Sequence, residues 1–369
     1  MIDLLVAGGG PAGAATAIRA ALAGLEVIVV EPREVPQDKA CGEGIAGSAV
    51  DYLQRLGVSP AGRPFHGIRY LDAGHCVDAR FRVGPGLGVR RTTLQESLHN
   101  RLASLGVPVL RDRVSVITQD LTSVTAAGIT ARYLAAADGL HSPIRRSLGL
   151  TGQPHLGALR SLGPLARLGP AAGEARSRIG LPTPAAVEVR RGLRRHYSVA
   201  PWSELVEVYW SPLGEAYVTP VADDLVGVAV LTSERGSFDS HLAAFPALQR
   251  RLAGAVPAGT VLGAGPLRQR VRGRVAGRVL LVGDAAGYVD ALTGEGIAVA
   301  LRTSAELVRC VERDDPAAYE AAWRRVSWEC RFLTGSLLWA RNRSLLAPRI
   351  VPAAAALPGV FAAIVNRLG

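Results

Sequence analysis

Hydrophobic residues first gather as Ile2, Leu4, Leu5, Val6 and Ala7 and return over residues 25–30, with an Ala-rich stretch of helical spacing between them. Short continuous apolar runs bounded by glycine read as strands buried on both faces, so residues 1–31 predict strand, tight turn, helix and strand. Residues 129–137 and 278–282 repeat the buried-strand pattern. Residues 67–82 instead alternate, Val77, Ala79 and Phe81 against Asp78, Arg80 and Arg82. With a turn at Asp72-Ala73-Gly74 they predict a half-buried hairpin. A meander follows over residues 196–230, where Val206, Val208 and Trp210 share one face and turns fall at Pro212-Leu213-Gly214 and Ala222-Asp223-Asp224. Leu94, Leu98, Leu102 and Leu105 mark an amphipathic helix. Residues 107–116 read as a strand pair, 161–194 as a flexible connector or lid, and 314–369 as helical.

The first turn reads Gly8-Gly9-Gly10-Pro11-Ala12-Gly13. Gly8 permits the tight turn, Gly10 lets backbone amides approach a pyrophosphate, and Gly13 lets the helix pack closely on the strand. Pro11 suits the first helical turn and Gly24 is a natural stop. Phosphates would sit at the helix N-terminus, facing free N–H groups and the positive end of the dipole. Glu31 follows Gly13 by eighteen residues, near the ~20-residue distance at which an acid meets an adenosine ribose hydroxyl.

Two later strands also end in chemistry. The run over residues 129–137 leads into Asp138-Gly139-Leu140-His141-Ser142-Pro143-Ile144-Arg145, either a second phosphate or ribose contact or an ordinary Asp-Gly turn. The next strand leads into Gly283-Asp284-Ala285-Ala286-Gly287-Tyr288 and then Thr293-Gly294-Glu295-Gly296-Ile297. Asp284 can bond a ribityl or ribose hydroxyl. The turn at 294–297 offers amides and a positive helix end to an anion such as reduced flavin. Lys39-Ala40-Cys41-Gly42-Glu43-Gly44-Ile45 is either a loop lying against a planar cofactor or a plain loop with a cap.

Composition narrows the class. With 369 residues, 49% of them hydrophobic, the chain can hold two domains or one large domain with an inserted layer. The net charge of +11 is carried by dispersed arginines, Lys39 being the only lysine, which argues against a nucleic-acid stripe. Cys41, Cys76, Cys310 and Cys330 contain no CxxC pair and the seven histidines no HExxH spacing, so neither a metal nor a disulfide framework is expected. No leader or uninterrupted spanning segment is read, and a cytoplasmic protein is expected. The apolar stretch 350–365, broken by Pro352 and Pro358, suits docking on the core or peripheral contact with a membrane.

These three co-ordered motifs resemble the FAD-dependent superfamily that contains the aromatic-hydroxylase type of flavoprotein monooxygenase and the geranylgeranyl reductases. The resemblance spans almost the whole chain. It implies an α/β fold: a Rossmann-like FAD-binding domain of the glutathione-reductase type, an inserted antiparallel β-sheet substrate domain and a helical C-terminus. The domains would be residues 1–66 with 83–155 and 266–312, residues 67–82 with 156–265, and residues 313–369. FAD would meet Gly8, Gly10, Pro11, Ala12 and Gly13 at its pyrophosphate and Glu31, Pro32 and Arg33 at its adenosine. Val114 would bond adenine through its backbone, with Arg91, Cys41, Gly42, Asp138, Gly139, Gly283 and Asp284 along the flavin side. Gly294, Gly296 and Ile297 would border the isoalloxazine.

The leading expectation is an NAD(P)H- and oxygen-dependent monooxygenase acting on a hydrophobic phenolic or polyketide-type substrate in secondary metabolism. The alternative is reduction of isoprenoid double bonds, which the 39–45 and 293–297 segments resemble more closely. A phenol needs a base; His196 is the candidate, with Tyr197, Tyr209 and Tyr217 as substrate contacts, each equally readable as a core residue. Cys41 would be the proton donor of a reductase, or a small buried apolar residue. A non-enzymatic nucleic-acid-binding protein is the remote third class.

Overall fold

The opening apolar run becomes the centre of a parallel sheet. In the computed structural model, which describes residues 1–152 and 189–368, strand Ile2–Ala7 lies between Ile129–Ala136 and Val27–Val30, parallel to both. The path continues outward to Val279–Leu281 on one side and Val109–Leu110 on the other, again in parallel pairings. Strand Val275–Ala276 closes one edge as an antiparallel partner. Leu4, Leu5 and Val6 are fully buried, as continuous runs flanked by helices on both faces should be.

Numbered along the chain, the five parallel strands stand in the order 3-2-1-4-5, with the reversal between Ile2–Ala7 and Ile129–Ala136. Ligands of such sheets bind beyond the carboxyl ends of the strands at that reversal. The Gly8 turn, Glu31, Asp138 and Gly283 each follow the carboxyl end of one of these strands. Topology alone thus gathers motifs that lie far apart in the chain.

A second sheet has seven strands in the order Val256–Ala264, Arg191–Ser198, Leu225–Thr232, Gly214–Ala222, Val206–Ser211, Gly67–Leu71 and Cys76–Arg80. It differs from the all-antiparallel expectation in one pairing: Val206–Ser211 runs parallel to Gly67–Leu71. The hairpin and the meander come from distant parts of the chain, so no turn fixes their relative direction. Its two faces separate by the period of two. Ala216, Val218, Val228 and Val230 pack under the short helices Phe238–Leu242 and Pro246–Arg251, while His196, Glu215, Tyr217 and Thr219 take the other face, toward the parallel sheet.

Other differences are local. Residues 107–116 contribute only Val109–Leu110, because Arg111, Asp112 and Arg113 offer no apolar alternation to continue a strand. Strand Val256–Ala264 is mostly exposed along the sheet edge and carries no strong pattern. The connector expected over 161–194 falls largely outside the described residues, and Arg191 to Arg194 are strand. A small sheet of Gly44–Ile45, Gly86–Gly88 and Arg63–Phe65 packs on strand Gly214–Ala222. The C-terminus is the long helix Ala318–Arg341 followed by Ile350–Ala356 and Pro358–Leu368. Phe361 and Val365 seat the last helix on Val77 and Ala79 of the hairpin.

Candidate cofactor and active site

The glycine turn is built as its sequence requires. Gly8 has φ +111° and lies so near Ala137 that a Cβ would stand 2.5 Å from its carbonyl oxygen; a Cβ on Gly13 would stand 1.8 Å from the Gly8 oxygen. Gly10 faces open space, with the Arg91 guanidinium as its one neighbour, 3.7 Å from a would-be Cβ. Pro11 opens the helix Pro11–Leu22 and Ala12 packs beneath Gly283. Glu31 fixes the turn from the second strand: one carboxylate oxygen accepts from the Gly9 N–H at 2.8 Å, the other from the Arg33 backbone and side chain. Helix Arg91–Ser104 holds the same residue from above, Gln95 and His99 both reaching the Gly9 carbonyl, at 3.2 and 2.7 Å. Sequence reasoning missed these two; their spacing of one helical turn on the face opposite the glycines was the available signal.

Asp138 accepts from the Ile144 N–H at 3.0 Å through one oxygen, while the other is buried without a partner among the described residues. Burial raises its pKa. Gly139 has φ +89° and open space around it. Ser142 and Arg145 in the same motif are structural. The Ser142 hydroxyl accepts from the Arg145 N–H, and the buried Arg145 guanidinium donates to the carbonyls of Leu140, Asp284 and Ala285 and to Gln269. It clamps the Asp138 and Asp284 turns together instead of facing a ligand, because those inward carbonyls would otherwise be buried unbonded.

Around the mouth, charge is left unmatched. The Asp284 carboxylate has no hydrogen-bond partner among the described residues, and burial raises its pKa against the pull of Arg91, Lys39 and Arg145. The Lys39 ammonium has no hydrogen bond or ion pair among the described residues, and burial together with Arg33 and Arg91 lowers its pKa. Arg91 donates its backbone N–H to Glu43 but keeps a buried Nε without a partner among the described residues. Three cations thus gather near the glycine turn. Lys39, quoted within its loop but given no role from sequence, is the third residue that reading missed. Val114 lies outside any strand and packs at the edge of the core.

Directly beneath, the charges are matched. Glu43 is buried at φ +59° and its carboxylate takes the Arg91 N–H at 2.9 Å and the His196 Nε2 at 2.6 Å. Arg194 donates to His196 Nδ1 at 3.0 Å and pairs with Asp38. Because Nδ1 accepts, the imidazole is neutral and its proton sits on Nε2, directed at Glu43. His196 is therefore placed in a buried interlayer network, not at an open pocket. Cys41 lies just above: its Sγ accepts from the Glu43 N–H at 3.4 Å, burial raises its pKa, and Arg91 and Tyr288 are close enough to interact with it. The Gly42 carbonyl accepts from Thr219, tying the Cys41 loop to the second sheet.

The tyrosines separate by face. Tyr197 and Tyr209 turn to the side covered by the short helices, where Tyr209 donates to Glu207. Odd and even strand positions alternate, so Tyr197 must point away from the side His196 takes. Tyr217 alone faces the parallel sheet, donating to the Leu292 carbonyl at 2.8 Å. It thereby holds the loop before Gly294 and Gly296, where helix Gly296–Glu312 starts and Ile297 packs on the core. A cavity between this loop and helix Ala318–Arg341 is lined by Tyr288, Asp290, Glu295, Trp323, Cys330 and Thr334. Glu295 has a buried carboxylate oxygen without a partner among the described residues, and burial pushes its pKa up to about 7.

A glycine turn with unmatched cations, and the carboxyl groups of Asp138 and Asp284 with oxygens unpartnered among the described residues, stand together beyond the carboxyl ends of the parallel strands and suit a dinucleotide. Residues 1–171 match a family model described as FAD binding domain. This match and the likenesses that follow make the chain similar to the FAD-dependent oxidoreductases. It is 28% identical over 350 residues to menaquinone reductase of Mycolicibacterium smegmatis, covering 87% of this chain and 79% of that one. It is 27% identical to digeranylgeranylglycerophospholipid reductase 2 of Methanosphaera stadtmanae, covering 82% and 75%. The fold is shared with the flavin-dependent halogenase CmlS (TM-score 0.72, 18% identity, 90% of this chain and 62% of that one). It is also shared with the flavin-dependent brominase Bmp2 (TM-score 0.72, 17% identity, 99% and 93%). The matched domain gives FAD as the cofactor.

Proposed function

We propose that this protein reduces carbon–carbon double bonds of a lipophilic isoprenoid substrate, with NAD(P)H as the source of electrons. The observation that carries this reading is the contrast between Cys41 and His196. A thiol whose pKa is raised by burial keeps its proton at neutral pH and can give it up to a carbanion-like centre. The base that phenol hydroxylation would use is instead enclosed, its Nε2 proton held by Glu43 and its Nδ1 filled by Arg194. The sequence relatives named as menaquinone and digeranylgeranylglycerophospholipid reductases favour the same choice, since both names denote isoprenoid lipids.

In this reading Gly8, Gly10, Pro11, Ala12 and Gly13 would receive the FAD pyrophosphate, with Arg91 and Lys39 as countercharges. Glu31, Pro32, Arg33 and Val114 would lie at the adenosine end, Asp138, Gly139, Gly283 and Asp284 along the ribityl chain, and Gly294, Gly296 and Ile297 at the ring edge. Bound FAD supplies the hydride chemistry. The chain's own part is to hold a proton at Cys41 Sγ, to fix the Cys41 loop through Glu43 and Thr219, and to hold the 288–293 loop through Tyr217.

The test is anaerobic incubation of the photoreduced holoprotein with a polyprenyl lipid, read by mass spectrometry. The expected product gains one dihydrogen per double bond, and Cys41→Ala lowers the rate by about 10²-fold or more with the flavin spectrum and FAD affinity unchanged. An oxygen-dependent hydroxylated product, or full activity in Cys41→Ala, would sink the proposal.

A further inference from the structure

The long C-terminal helix carries an apolar stripe that none of the described residues covers. Trp328, Phe332 and Trp339 on Ala318–Arg341 are 61%, 63% and 57% exposed, and Leu345 just beyond is 74% exposed. Their spacing of four and seven residues puts Trp328, Phe332 and Trp339 on one helix face. The Trp328 and Phe332 rings lie 6.3 Å apart, and the Arg343 guanidinium stacks on Trp339 at 5.1 Å. The opposite face is spoken for: Tyr319, Trp323 and Leu338 are buried, and Arg341 donates to the buried Glu215. The next helices repeat the pattern. Phe361 and Val365 dock on the hairpin while Leu357, Val360 and Ile364 remain outward. Among the described residues no single helix is long and apolar enough to cross a membrane; Ala347–Ala356 and Pro358–Arg367 reach that length and composition only together, and they bend by 103°.

Charge decides what such a surface meets. Arg324, Arg325, Arg341 and Arg367 are paired with Glu320, Glu306, Glu215 and Glu329, but Arg343, stacked on Trp339, and Arg349, beside Leu345, have no carboxylate partner among the described residues and leave the stripe positively charged. A second copy of the chain would bring arginines against arginines across a symmetric contact. Nucleic acid would answer the arginines but leave the aliphatic side chains Leu345, Leu357, Val360 and Ile364 in water. A bilayer with anionic headgroups satisfies both: Trp and Phe settle at the headgroup level, aliphatic side chains enter the acyl boundary, and arginines pair with lipid phosphates. We propose that the C-terminal helices seat the enzyme on an anionic membrane surface, lying in the interface without spanning it. This does not depend on which reaction the flavin performs.

The experiment is flotation of the FAD-loaded full-length protein with phosphatidylglycerol-containing vesicles and with pure phosphatidylcholine vesicles, neither carrying an isoprenoid lipid. The expected result is binding to the anionic vesicles that weakens as salt is raised and falls by at least about tenfold in Trp328→Ser/Phe332→Ser/Trp339→Ser. Arg343→Glu/Arg349→Glu leaves the apolar stripe in place and should lose anionic-vesicle binding by a similar factor. Failure of the wild-type protein to float, binding that ignores both variants, or a concentration-dependent dimer abolished by the aromatic variant would overturn the proposal.

Discussion

The cofactor cleft and the interlayer seam are built from the same residue types but treat their charges in opposite ways. In the cleft, the Lys39 ammonium, the Arg91 guanidinium and the Asp284 carboxylate face one another without hydrogen bonds among the described residues, where Asp138 also keeps a buried oxygen unfilled. In the seam, Arg190 binds Glu215 at 2.6 Å and Asp290 at 3.0 Å, while Arg341 reaches the other Glu215 oxygen at 2.7 Å. Asp290 also receives the Leu292 N–H, so this network joins the second sheet, the 288–293 loop and the C-terminal helix. The Glu43–His196–Arg194 cluster does the same for the Cys41 loop. Paired buried charge specifies how layers meet; unpaired charge at a strand reversal is left for a ligand.

That distinction can be broken directly. Glu215→Ala leaves Arg190 and Arg341 buried with a partner removed and should cost about 3–5 kcal/mol of stability, measured by chemical denaturation of the apoprotein. If the loss is small, the seam is not structural. Glu295, half-way between the two regions, should show itself through pH. Its folded pKa is raised from 4.5 to about 7, so folding favours its protonated form. The stability it contributes is complete below the unfolded value and is lost as pH rises through about 7. Glu295→Gln should therefore flatten the fall in apoprotein stability between pH 5 and pH 8 by about 2–3 kcal/mol; an unchanged pH profile would remove Glu295 from this role.

The cleft should respond in the opposite sense. Arg91→Gln is expected to weaken FAD binding by about 10- to 100-fold, the equivalent of about 1.5–3 kcal/mol for a charge-assisted contact, with apoprotein stability nearly unchanged. Titration of apoprotein with FAD reads the first and denaturation the second. A stability loss without an affinity loss would move Arg91 into the seam. The smallest effect, about 1 kcal/mol, is expected for Tyr217→Phe, which removes one hydrogen bond to Leu292 and tests whether the second sheet steadies the flavin-side loop.

Legibility in the sequence followed the range of the interactions. The Gly8 to Gly13 turn, the buried strands and the Gly24 stop were readable because they rest on local backbone sterics and on apolar periods of two and 3.6. The turns at residues 212–213 and 223–224 were readable for the same reason. The Asp138 to Arg145 motif stayed open between a ligand contact and an ordinary turn because a motif gives the residue type but not the direction of its side chain, and the carbonyl partners of Arg145 come partly from a turn 140 residues away.

By itself, the sequence determined the Rossmann-like half, the two later strand-end motifs and the alternating hairpin, since each is a property of neighbours along the chain. Only the tertiary structure decided which charges find partners. It enclosed His196 against Glu43 from 153 residues away, turned Tyr197 and Tyr209 to the covered face, and left the Trp328 to Trp339 stripe in solvent. Pairing and exposure depend on how layers are stacked, and loop-separated layers are brought together by burial of apolar faces that share no local signal with the polar groups they enclose.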